Sequence, residues 1–334
     1  MREIAFIKQN KDKWESFENY LFNNISINPD TLSDLFIQIN NDIAYSNTHY
    51  PKSKLNIYLN ALGAASYQKI YLKKSSISTI KEFWSKEVPL LLYEKRLYIY
   101  FTFILFFVFI LIGVFSSIYD ESFIRGILGD NYVDTTIENI KKGDPAAVYN
   151  NHSKIGNLNS FVSITINNVR VGILMYISGF LIGIGTFKLL FFNSIMVGAF
   201  QTMFFKEGQL LKSMSAIWIH GSMEIFAMNI EAAAGFILGT SWIFPGSFTR
   251  FQSFIKNGKE SLKIFLSTIP FTIFAGLLEG FTTQYYNEMP MFVAFAIIFA
   301  TLGLILYYYI FFPIRIHRKH KNTLKNMLEE YEIQ

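Results

Sequence analysis

Three ionisable residues stand out within an otherwise apolar stretch: His220, Glu224 and Glu231. At about 100° per residue on a helix, their side chains fall within about 40° of one another on the helical wheel. Ionisable groups at bilayer depth are costly, so they usually face protein or water and often mark function. The stripe therefore predicts one of three things: a polar clasp between helices, a proton or ion path, or a metal or catalytic site.

A metal-dependent hydrolase is the weakest of these alternatives. His220 and Glu224 supply two zinc ligands at i and i+4, but the second histidine of a His-Glu-x-x-His motif is missing. A third ligand has to come from another span, and Glu279 is the strongest candidate. The absence of Cys excludes a thiol nucleophile and Cys-ligated zinc. We therefore predict a non-enzymatic chain, assign no catalytic residue, metal or cofactor, and keep an intramembrane metal-dependent hydrolase as an alternative.

Further polar side chains join the stripe in the predicted membrane region. Arg170 is expected to extend toward the membrane interface, with an ion pair to Glu224 or Glu279 as the alternative. Asn193 is expected to bond across helices, as polar residues in membranes often do. The predicted intramembrane polar site comprises His220, Glu224, Glu231, Glu279, Asn167, Asn168, Arg170 and Asn193.

These residues require a membrane-spanning scaffold. About 20 apolar residues are needed to cross a hydrocarbon layer of about 30 Å. The apolar region 162–206 is too long for one helix, and we divide it at Lys188 and Asn193; Pro313 is expected to close the last span. The predicted spans are 97–119, 162–187, 189–205, 214–243, 263–282 and 291–312. The predicted fold class is all-α: a polytopic membrane protein with about six transmembrane helices.

The remaining chain divides by charge and periodicity. Residues 1–96 contain four stretches with apolar residues at helical spacing, which predict an amphipathic helical bundle in the cytoplasm. The membrane domain is 97–312, with a polar outer loop at 120–160, and 313–334 is a basic cytoplasmic tail.

Lys and Arg concentrate in the loop near 244–263 and in the tail, whereas the short loops on the other side carry few. The positive-inside rule then places both termini in the cytoplasm. The net charge of +5 comes from these membrane flanks, so we predict the lipid bilayer as a partner and no nucleic acid.

Small residues predict close helix packing. Gly179-x-x-x-Gly183 has the spacing that lets membrane helices approach each other. The predicted packing positions are Gly172, Gly179, Gly183, Gly185 and Gly198.

Several stretches together resemble the stage II sporulation protein M family of bacterial membrane proteins, over most of the chain. The most specific are Asn167-Asn168-Val169-Arg170 and His220-Gly221 with Glu224. The others are Tyr50-Pro51-Lys52-Ser53-Lys54-Leu55, Gly183-Ile184-Gly185-Thr186, and Ala233-Ala234-Gly235 before Pro245-Gly246. Glu231 departs from the small residue expected at its position.

The resemblance implies a role and partners. The founding member belongs to a membrane complex that localises peptidoglycan-degrading enzymes, and relatives are often associated with AAA+ ATPases of the MoxR type. It therefore implies a membrane scaffold that recruits such partners for cell-envelope remodelling, with a homo-oligomer as a further possibility. The alternative from the residues is a transporter or an ion or proton channel that uses the His/Glu stripe.

Overall fold

The computed structural model describes residues 3–23, 29–71, 77–142, 157–285 and 288–332. Within these ranges the chain is helical and contains no strand, which confirms the all-α fold class. The chain divides into two compact units, Met1–Ile80 and Lys81–Gln334.

The first unit packs three amphipathic helices around an aromatic core. Trp14 and Leu59 are buried in this core, and the Trp14 indole N–H donates to Asp42 Oδ2 at 2.8 Å. Lys13 Nζ lies 2.5 Å from the same oxygen, so the buried carboxylate is both hydrogen-bonded and charge-compensated. The helices are α1 (Glu3–Asn23), α2 (Pro29–His49) and α3 (Lys54–Tyr71).

The second unit is a helical membrane domain. Six of its helices are long and apolar enough to cross a membrane, which confirms the predicted number. Short π-helical turns, at 83–87 and 307–311, connect α4 to α5 and α13 to α14. The helices are α4 (Ile77–Glu82), α5 (Val88–Glu94), α6 (Arg96–Tyr119), α7 (Glu121–Leu128), α8 (Asp130–Lys141), α9 (Asn157–Ile177), α10 (Ile184–Lys206), α11 (Leu210–Ile243), α12 (Arg250–Phe281), α13 (Met291–Leu306) and α14 (Phe312–Glu332).

The structure does not divide at the predicted domain boundary, residue 96, because residues 81–96 belong to the membrane unit. Val88 and Leu92 of α5 are buried in the same core as Ile264 of α12. Glu87 also pairs with Lys263 at 2.9 Å. The amphipathic pattern of this segment correctly predicted helical structure. It does not show which neighbour covers the apolar face of the helix.

The predicted division of 162–206 at Lys188 and Asn193 is wrong. Both residues lie inside α10, and the chain turns earlier, through a 3-10 turn at Ser178–Phe180. Gly183 then has φ +82°, a left-handed conformation that glycine adopts without steric cost. The break is therefore made by left-handed backbone at Ile182 (φ +57°) and Gly183, and not by the polar residues.

Two other predicted ends are also wrong. α12 begins at Arg250 instead of 263, because Thr249 and Gln252 form a capping box. Pro313 does not close the last span, since the helix continues to Glu332. The π-helical turn immediately before this proline changes the local hydrogen-bond pattern, which accommodates its missing N–H.

The polar segment after α6 forms the short helices α7 and α8. Asp120 accepts from Ser122 N at 2.8 Å and caps α7, and these bonds from Ser122 lower the pKa of Asp120. Ile124 and Val133 pack against Phe204, so the two helices cover the end of α10. The rest of the predicted outer loop, 143–156, lies outside the described residues.

α11 is the central helix of the membrane domain. Of its most apolar window, 83% is buried inside the protein, compared with 22–50% for the other five spans. A helix surrounded in this way can carry ionisable residues without exposing them to lipid.

Candidate functional site

A cavity of about 790 Å³ lies between α9, α10, α11 and α12, with α7 and α8 at one end. Seven of the eight residues predicted for the polar site line it: His220, Glu224, Glu231, Glu279, Asn167, Asn168 and Asn193. The helical spacing of the stripe explains why its three members share this space, since residues at i, i+4 and i+11 lie on one face.

His220, Glu224 and Glu279 form a compact cluster. One ligand atom from each lies within 4.8 Å of the other two. His220 Nε2 is 3.8 Å from Glu279 Oε2, and His220 Nδ1 is 3.1 Å from Thr283 Oγ1. Thr283 Oγ1 in turn donates to Leu278 O at 3.4 Å. The C-terminal turn of α12 and the residues after it thus position both Glu279 and the imidazole.

Glu231 occupies a separate position deeper along α11. Thr268 Oγ1 of α12 donates to Glu231 Oε1 at 2.8 Å. A Cβ at Gly172 of α9 would lie 2.6 Å from the Glu231 carboxyl group. Gly172 has no side chain and so leaves room for this carboxyl group where three helices meet.

Arg170 is the predicted site residue that the cavity does not include. Its side chain is exposed, and among the described residues it makes no ion pair with Glu224 or Glu279. Within the described part of the chain, Asn193 does not make the predicted cross-helix bond; its Nδ2 donates to Leu189 O of the same helix at 2.8 Å. Arg170 lies on the outward face of α9, which the sequence pattern alone could not assign.

The cavity wall is anionic and polar. Among the residues that the structure describes, three glutamates and one histidine line it, and no Lys or Arg does. Three buried wall atoms, Asn168 Nδ2, Gln201 Oε1 and Trp218 Nε1, have no hydrogen-bond partner within the described part of the chain. Buried polar atoms of this kind normally bond to water or to a bound solute.

Several residues in or beside the cavity were missed by sequence reasoning. Tyr132 of α8 contacts the cavity at its outer end, and burial raises the pKa of its phenol. Thr268 and Thr283 are single hydroxyls in apolar sequence and give no distinctive signal. Gly276-x-x-x-Gly280 does give one, because its small-residue spacing marks the close crossing of α12 on α9.

Beyond Glu231 the described helices pack closely. Gly179 directly contacts the backbone of Gly235, and a Cβ at Gly185 would lie 2.6 Å from Ser178 O. At the α6–α10 crossing, a Cβ at Gly198 would lie 2.5 Å from Ile110 O. These predicted packing glycines therefore bring backbones together, although Gly179 and Gly183 lie in a turn and not on one helix face.

Comparison with known families matches residues 102–284 to the family described as Stage II sporulation protein M. The chain belongs to the stage II sporulation protein M family. Every residue that lines the cavity falls within this segment. Residues 4–72 separately match a domain of unknown function (DUF8413). No curated protein and no solved structure matches the chain.

Proposed function

We propose that this stage II sporulation protein M family member is a non-enzymatic membrane protein that binds a small cation in the cavity and conducts it across the bilayer. The observation that carries the proposal is the cavity of about 790 Å³ inside a six-span domain, with its anionic wall. Polar cavities at membrane depth are where channels and transporters place their ions.

Charge favours a cation over an anion. Glu224, Glu231 and Glu279 face a common space, and among the described residues no cationic side chain other than His220 shares it. Rings of carboxylates select cations in membrane pores. A mobile proton is one member of this class, because carboxylates and imidazole exchange protons readily.

The cavity does not continue to the opposite end of α11. Beyond Glu231, Ala233 and Ala234 belong to a core that also contains Val88 and Leu92. Conduction therefore requires a rearrangement of the contact between α9, α11 and α12, and Glu231 with Thr268 lies at that contact. Such gating is the usual mechanism of transporters whose site lies near the bilayer midplane.

Reconstitution into liposomes tests this proposal. Proteoliposomes should show protein-dependent flux of at least one of H⁺, Na⁺, K⁺ and Zn²⁺, and Glu224→Gln should abolish it with thermostability retained. Glu138→Gln is the matched control, because Glu138 is exposed on α8 and should keep full flux. Absence of flux for all four ions in the unmodified protein would contradict conduction.

A scaffold role is the second candidate, and a different observation favours it. Residues 1–80 form their own compact unit, and most of this unit matches its own family. This unit carries exposed apolar side chains, Ile37 and Ile57, at 56% and 69% exposure. By family resemblance its partners are MoxR-type AAA+ ATPases or peptidoglycan-remodelling enzymes.

Pull-down from native membranes tests the scaffold. The paired change Ile37→Asp and Ile57→Asp should reduce recovery of specific partners from cross-linked membranes. The paired change Asn47→Asp and Lys52→Gln is a surface control that should leave recovery unchanged. An identical partner profile for both variants would contradict docking through this unit.

We further propose that the chain lies in the bacterial cytoplasmic membrane with both termini in the cytoplasm, on the Lys/Arg asymmetry of its loops. The chain has no Cys, so single cysteines report cleanly. Thr135→Cys on α8 should react with an impermeant maleimide on intact spheroplasts, and Lys259→Cys on α12 should react only after lysis. The reverse pattern would invert the topology.

A further inference from the structure

We propose that His220, Glu224 and Glu279 form a binding site for a single divalent transition-metal ion of the zinc class. The three side chains come from α11 and α12, and their ligand atoms lie within 4.8 Å of one another. This inference deepens the proposed function. It rests on that function only because both use the same cavity.

The donor set suits such an ion. Imidazole nitrogen and carboxylate oxygen are ordinary ligands of zinc, at about 2.0–2.2 Å. Tetrahedral ligands at those distances are separated by about 3.4 Å, close to the 3.8 Å between His220 Nε2 and Glu279 Oε2. To reach this spacing, a separation of 4.8 Å has to shorten by about 1.4 Å, which side-chain rotation supplies. Three protein ligands leave the fourth position open toward the cavity.

The hydrogen bonding of the imidazole suits this role. His220 Nδ1 lies 3.1 Å from Thr283 Oγ1, which donates to Leu278 O at 3.4 Å. In the tautomer with the hydrogen on Nδ1, Thr283 Oγ1 accepts from Nδ1–H and the Nε2 lone pair is on the side of Glu279 Oε2. Nε2 and the Glu279 carboxylate then both offer electron pairs to one metal ion. Metal-binding histidines usually have this arrangement, with the other nitrogen donating to a fixed acceptor.

The charges of the two glutamates also favour a divalent cation. Glu224 and Glu279 bring two carboxyl groups together in a largely buried setting, where Glu279 is only 13% exposed. Like charges at this separation repel strongly when they are removed from water. A divalent ion compensates both. Glu231 takes no part in the cluster, because its carboxyl group bonds to Thr268 instead.

Calorimetric titration of Zn²⁺ into the full-length, chelator-treated protein in detergent tests the site. One ion should bind per chain, and His220→Ala and Glu279→Gln should each weaken binding at least tenfold. Thr283→Val keeps all three ligands but removes the acceptor, and should weaken binding about tenfold. Co²⁺ in place of Zn²⁺ should give a visible absorption spectrum that His220→Ala alters.

Two controls decide the outcome. Glu231→Gln removes one cavity carboxylate but no ligand, so binding should remain within about threefold; His317→Ala, outside the cavity, should bind normally. An equal loss for Glu231→Gln and Glu279→Gln would overturn the site in favour of diffuse attraction, as would absence of stoichiometric binding. Cation flux without zinc binding would overturn this inference alone, whereas zinc binding without flux would overturn conduction alone. Unfolding temperatures by tryptophan fluorescence show that each variant is folded.

Discussion

The two halves of α11, up to Glu231 and from Ala232 onward, differ in their surroundings. The first half borders the cavity, whereas the second half packs closely against its neighbours. Glycine shows the contrast. A Cβ at Gly221 has its nearest neighbour at 3.8 Å, while one at Gly235 would lie 2.5 Å from Thr186 Oγ1. A small residue therefore allows close helix packing only where the backbone of the neighbouring segment also approaches it.

The partner of the second half is the turn between α9 and α10. Gly179 and Gly183 of this turn place their backbone directly against Gly235 and Gly239. Among the described residues no such turn faces the first half. There α9 and α10 border the cavity, and polar side chains line its wall. We conclude that the cavity is set by where the chain turns, and that the His/Glu stripe lies in the space that results.

The largest expected effect comes from matched isoleucines in the two halves. Ile237 is 1% exposed in the close-packed half, and Ile225 lines the cavity. Ile237→Ala should cost about 2–5 kcal/mol, since it opens a void in a packed core. Ile225→Ala should cost clearly less, because it only enlarges an existing space. Equal losses in reversible unfolding in detergent would remove the distinction between the halves.

A smaller effect is expected at the glycine contact. Gly179→Ala should cost about 1–3 kcal/mol, because a Cβ there meets the Gly235 backbone, which cannot yield. Gly303→Ala is the matched control: it lies in α13 with nothing near its Cβ position, and should be neutral or slightly stabilising. If both variants have the same unfolding temperature, the turn does not hold α11.

Part of this architecture followed from the sequence. The apolar lengths gave the six spans, and helical spacing placed His220, Glu224 and Glu231 on one face. Glu279 was identified as the partner from another span. The spacing could not show that Glu231 bonds to Thr268 and leaves the cluster, because this depends on the rotation of α12.

The errors have a common physical cause. The predicted break at Lys188 and Asn193 treated polarity as a helix breaker, but backbone conformation at Gly183 makes the turn. The inclusion of Arg170 in the polar site, with an ion pair as the alternative to the membrane interface, likewise assumed an inward orientation for a residue that is exposed on α9. Local composition shows how costly a segment is to place in a bilayer. The positions of turns and the rotation of helices depend instead on contacts between segments that are distant in sequence.

The smallest expected effect is at Asn193 in the cavity wall. Its amide donates only to Leu189 O of its own helix, so Asn193→Ala should change stability by no more than about 1 kcal/mol. By contrast, Thr186 Oγ1 bonds across to Met175 O at 2.8 Å in the close-packed region, and Thr186→Ala should cost more. A larger loss at Asn193 would mean that its side chain holds the wall together.

Cysteine accessibility along α11 tests the central claim, a water-filled cavity beside a dry core, most directly. Single cysteines at Ile225 and Met228, which line the cavity, should react with a small charged methanethiosulfonate reagent in the membrane-embedded protein. Cysteines at Ala233 and Ala234, which are fully buried, should remain unreacted under the same conditions. Equal labelling rates at all four positions, or protection of Ile225 and Met228, would contradict the account.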